Sequence, residues 1–109
     1  MDLEIQAQHC DIHPRWRALI ERRAAKLADL SQEILRVHVV LVQSTHHQRG
    51  NEEVRLLATV PNDTLRAQKT AADMGDAIQA AFTALEREIQ AWTARRKQFA
   101  KQPTRQRSA

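Results

Sequence analysis

Glycine is nearly absent, with only Gly50 and Gly75 in 109 residues. No glycine-rich loop is available to cradle a nucleotide phosphate. The single cysteine, Cys10, excludes an intramolecular disulfide and suits a reducing compartment. No apolar run approaches the roughly 20 residues of a membrane span. The acidic, alternating start Met1-Asp2-Leu3-Glu4-Ile5 is wrong for a signal peptide, so the expected location is the cytoplasm. No Ser/His/Asp or Cys/His set is placed by spacing, and Cys10 has no evident activating base, so an enzyme is not expected.

What the chain does have is a basic excess. Lys plus Arg number 17 against 13 Asp plus Glu, a formal net charge of +4 with a pI near 10.0. Such an excess points to an anionic partner, or to no more than a solvated surface. Its distribution is uneven. From Arg95 to Arg107 there are six basic residues and no acid, whereas Asp2 to Asp11 carries acids alone.

The stretch from Asp73 to about Lys101 dominates the chain. Asp73 is a helix-start residue. Met74, Ile78, Ala81, Phe82, Leu85, Ile89, Trp92 and Phe99 then recur at helical steps. A helix of that extent is about 43 Å long. It is expected to close a core with its first half and overhang it with its second.

Upstream, Leu3, Ile5 and Ala7 alternate with polar residues, as in a half-buried strand. Pro14 after Asp11 starts a helix running to about Leu30. On it, Arg15, Arg22 and Lys26 form a basic stripe beside the apolar face, and Arg23 sits nearer the apolar side. Ile34 to Val42 is rich in β-branched residues and reads as a central strand. Val54 to Val60 and Leu65 to Gln68 give two more, joined by the turn Pro61-Asn62-Asp63. The order is β-α-β-β-β-α, an α+β fold with a four-stranded sheet and two helices on one face. Residues 1–101 form one domain, and 102–109 are expected to be a disordered basic tail.

His9, Cys10 and His13 do not make a metal site, because a structural zinc wants four ligands and neighbours in a strand point to opposite faces. No cofactor is implied. His46 and His47 read as loop histidines. Trp16 and Trp92 lie on apolar stripes and read as packing residues rather than base-stacking platforms.

The element order, the run Val37-His38-Val39-Val40-Leu41, and Leu65-Arg66-Ala67 leading into Asp73-Met74-Gly75-Asp76-Ala77-Ile78 resemble the ribosome hibernation promoting factor family. That family is also called ribosome-associated inhibitor A or sigma-54 modulation protein. The Lys26-Leu27 pair fits as well. The resemblance covers residues 1 to about 101, and the chain is similar to the short type. It implies a fold similar to the double-stranded-RNA-binding domain. It also implies binding to the small ribosomal subunit at the tRNA and mRNA channel, with basic helix faces on ribosomal RNA.

The residues matching those faces are Arg22, Arg23 and Lys26 in the first helix and Arg87 and Arg95 in the second, with Arg66 on the fourth strand. Two departures stand out. Gly75 replaces the family's usual aromatic residue, and lysines expected near Gln90 to Thr93 are missing. The positive charge clusters one turn later, at Arg95, Arg96 and Lys97. A ribosome-associated translation inhibitor is therefore expected. The rival is a protein-interaction module of the same fold that docks through its C-terminal helix, with Trp92 and Phe99 exposed. The sequence leaves the oligomeric state open.

Overall fold

Alternation writes the sheet. In β2 (Arg36–Val42) the residues Val37, Val39 and Leu41 are fully buried, and in β3 (Glu52–Val60) so are Val54, Leu56, Ala58 and Val60. Leu65 and Ala67 of β4 (Asp63–Ala71) continue the same face. Leu3, Ile5 and Ala7 of β1 (Asp2–Gln8) pack at its margin. The structure is a computed structural model that describes residues 1–8, 10–43 and 52–107, with side chains as far as Lys97. His9, His46 and His47 lie outside the described residues, as do the side chains of Phe99 and Lys101.

The sheet order is β1-β2-β3-β4, with β1 parallel to β2 and the other pairs antiparallel. β2 and β3 are the central strands, as the β-branched run predicts for β2. The fourth strand is longer than its four apolar-alternating residues suggest, because pairing with β3 carries it from Asp63 to Ala71. Only Pro61 and Asn62 separate the paired residues Val60 and Asp63. Asn62 takes a positive φ of 64°, a conformation asparagine tolerates better than most residues.

The helices α1 (Pro14–Leu30) and α2 (Met74–Arg107) cover one sheet face. α1 is capped by His13, whose Nδ1 accepts a hydrogen bond from the Arg15 amide at 3.2 Å, rather than by Asp11. The first α2 hydrogen bond runs from the Ala77 amide to the Asp73 carbonyl at 3.0 Å. Met74, Ala77, Ile78, Ala81, Phe82, Leu85, Ile89 and Trp92 are buried against the sheet and α1. Those turns span about 28 Å, close to the roughly 30 Å of a nine-residue strand, so residues after Trp92 outrun the sheet. The helix is traced to Arg107, past the stop expected near Lys101 and into the segment read from the sequence as a tail. Extending an existing helix adds one hydrogen bond per residue fixed, although Pro103 forfeits one.

Candidate nucleic-acid interface

The two helices run side by side in the same direction, because each leaves the same end of parallel-oriented strands. Contacts advance along both together. Arg15 and Arg22 share a groove with Asp73 and Asp76. Arg23 meets Gln79, Thr83 and Glu86. Past the end of α1, Glu33 pairs with Arg96.

Arg23 stands apart from the other candidates. Expected among the RNA contacts, it is only 9% exposed. Its guanidinium donates to the Gln79 side chain, to Thr83 Oγ1 at 3.2 Å and to Glu86 at 3.2 Å. The group also lies 5.7 Å from the Phe82 ring centre. Its position near the apolar side of α1 drives this: the stem is buried, and α2 supplies acceptors where water would otherwise be. The Arg23–Glu86 pair removes one positive and one negative charge from the seam.

That leaves Arg22 and Lys26 on α1 and Arg87 on α2, all exposed. Arg87 lies one turn beyond Thr83, on the same side of α2. Lys26 lies one turn beyond Arg22 and Arg23. Because the helices are parallel and Arg23 is level with Thr83, Lys26 is level with Arg87. None of the three forms an ion pair among the described residues. Arg15 joins the stripe from the first turn of α1. Its place on the helical wheel announces it, although the family resemblance does not point to it.

The remaining candidates go elsewhere. Leu65 and Ala67 are buried, so Arg66 between them projects from the opposite, helix-free face of the sheet. It borders a shallow depression there with Arg55 and Leu57. On that face Glu53 accepts from Arg55 Nε at 2.6 Å and Gln68 Nε2 at 2.7 Å. The bond to Glu53 raises the Arg55 pKa, fixing its charge. Arg95, Arg96 and Lys97 are consecutive, so each turns about 100° from the last and they share no face. Arg96 is held by Glu33 and lies 4.9 Å from the Trp92 ring centre. Trp92 itself is 4% exposed, so it belongs to the core and not to an exposed docking end.

Little else offers chemistry. Burial raises the Cys10 thiol pKa, and nearby Glu52 and Asp11 add to the effect against a lowering backbone bond involving Gln43. A thiol held protonated is a weak nucleophile. Among the described residues no three metal-ligating side chains come together. No helix among them is long and apolar enough to cross a membrane.

Residues 3–97 match the sigma 54 modulation protein / S30EA ribosomal protein family. A search of curated proteins finds no match. Among solved structures, the chain is similar to a ribosomal subunit interface protein from Coxiella burnetii at 22% identity with a TM-score of 0.77, covering 86% of this chain and 99% of that one. It is also similar to the N-terminal domain of Protein Y from Thermus thermophilus at 20% identity with a TM-score of 0.73, covering 84% and 99%. At those identities the likeness shows a shared fold. With nearly the whole folded part matched, the chain belongs to the sigma 54 modulation protein / S30EA ribosomal protein family.

Proposed function

We propose that this chain is a ribosome-associated hibernation factor that lies on the small subunit and blocks the tRNA and mRNA channel. The observation that carries the reading is the placement of Arg22, Lys26 and Arg87 on one outward helical surface, without ion-pair partners among the described residues. Folded ribosomal RNA presents phosphates, which guanidinium groups engage with paired hydrogen bonds and ammonium groups as point charges. Each neutralised phosphate releases counterions, so such contacts position the protein with little regard to sequence.

Family membership supports ribosome association, and the name of the Coxiella burnetii relative points the same way. The mechanism is steric and calls for no cofactor and no catalytic group. It places the protein in the cytoplasm, where its partner is. Burial of Trp92 weighs against the rival reading, since one of the two apolar residues it offers for docking α2 on a protein is already used by the core.

The test is co-sedimentation with purified small subunits. Arg22→Glu combined with Lys26→Glu is expected to abolish pelleting while circular dichroism stays unchanged. Pelleting equal to that of the unaltered chain would remove this surface as the contact.

A further inference from the structure

The starts of α1 and α2 border a groove of about 450 Å³ that is widely open to solvent. That is within the range of small-molecule sites. It exists because Gly75 sends no side chain into it. Ala18 and Leu19 supply an apolar wall, and Arg15 and Arg22 border it on the α1 side. Trp16 lines an adjoining, smaller depression that shares Arg15, Leu19, Asp73 and Gly75 with it. Asp76 borders it on the α2 side, with Gln79 at the margin. A Cβ at Gly75 would sit 3.1 Å from Asp73 Oδ2, so that carboxylate is folded against the first turn of α2. Arg15, Arg22 and Asp76 form no ion pairs among the described residues, so both signs of charge remain available within one groove.

We propose that this groove is a slot for one unpaired guanosine nucleotide of RNA, with its phosphate on Arg15 and Arg22, its base against Leu19, and its Watson–Crick edge on Asp76. The proposal rests on the RNA-binding reading above and names what that surface selects. An ionised carboxylate only accepts hydrogen bonds. Guanine offers N1–H and the N2 amino group side by side, which match two carboxylate oxygens. Adenine and cytosine place a ring acceptor beside their amino group, and uracil flanks its one N–H with carbonyls. Each of those would set a lone pair against Asp76. An unpaired base is also the form in which RNA exposes this edge.

The experiment titrates the isotopically labelled full chain with 5′-GMP, and separately with AMP, CMP and UMP. The Gly75, Asp76 and Gln79 amides and the Trp16 indole are followed by NMR. GMP is expected to shift these signals saturably and to bind about fivefold or more tighter than the others, the lower end of what one paired base contact provides. Asp76→Asn is expected to erase the preference while leaving phosphate-driven binding. Gly75→Phe is expected to fill the groove and remove the shifts for all four nucleotides, with helical content retained. Equal affinity for the four nucleotides, shifts confined to other residues, or undiminished GMP binding by Gly75→Phe would overturn the proposal. Co-sedimentation with small subunits but no GMP preference would remove the slot and leave the ribosome reading intact. GMP preference without co-sedimentation would do the reverse.

Discussion

Arg23 on α1 and Glu86 on α2 pair at 3.2 Å across the seam between the helices, with side chains 11% and 27% exposed. The pair sits beneath the basic surface and sets where its two halves lie relative to each other. Arg22 and Lys26 flank Arg23 in sequence, and Arg87 follows Glu86 directly.

Replacing Arg23 with Met keeps the buried stem and removes the bonds to Gln79, Thr83 and Glu86. Hydrogen bonds to charged groups contribute about 1.5–3 kcal/mol, and Glu86 regains some water when released, so a loss of about 1–3 kcal/mol is expected. Urea unfolding measures it. Arg22→Met, at an exposed position without an ion pair, is expected to cost less than about 0.5 kcal/mol and yet weaken ribosome binding more per folded molecule. The reverse ranking would mean that Arg23 reaches RNA.

The β3–β4 hairpin turns on Asn62 at φ 64°. A β-branched residue there meets its own backbone, so Asn62→Val is expected to destabilise by about 1–2 kcal/mol. Asn62→Gly is expected to be tolerated, because glycine adopts positive φ freely. Thermal unfolding of the two variants separates them.

Cys10 gives a pH dependence of known sign. Desolvation, with Glu52 and Asp11 nearby, raises the folded thiol pKa. The folded chain therefore holds the proton more tightly than the unfolded chain does. The resulting stabilisation is in place below the ordinary thiol value and is lost as pH rises through the raised folded value. Alkylation by iodoacetamide at about pH 8 is expected to be slower for folded protein than for protein in urea, with the rate still climbing at pH values where a free thiol has levelled off.

The fold was legible because two periods are cleanly written. Val37, Val39 and Leu41 repeat every second residue, and Ile78 to Trp92 repeats at helical steps. The basic stripe Arg15, Arg22, Lys26 was legible for the same reason. What sequence could not supply was the neighbour each charge meets. Arg23 and Arg22 are adjacent and chemically identical, but only one faces acceptors on an element 56 or more residues away. Arg96 looked like part of a positive cluster until the chain after α1 brought Glu33 to it. Arg66 alternates correctly on its strand, but which sheet face the helices cover decides its side. The groove at Gly75 has no one-dimensional signal beyond a missing side chain.

The dissociation constant for small ribosomal subunits, followed across potassium chloride concentration, tests the central claim most directly. With at least three phosphates met by Arg22, Lys26 and Arg87, log affinity is expected to fall against log salt with a slope of about −2 or steeper, and Arg87→Gln is expected to make that slope shallower by about one phosphate contact. An affinity that is flat across that range, or a slope untouched by Arg87→Gln, would contradict an RNA contact through this surface.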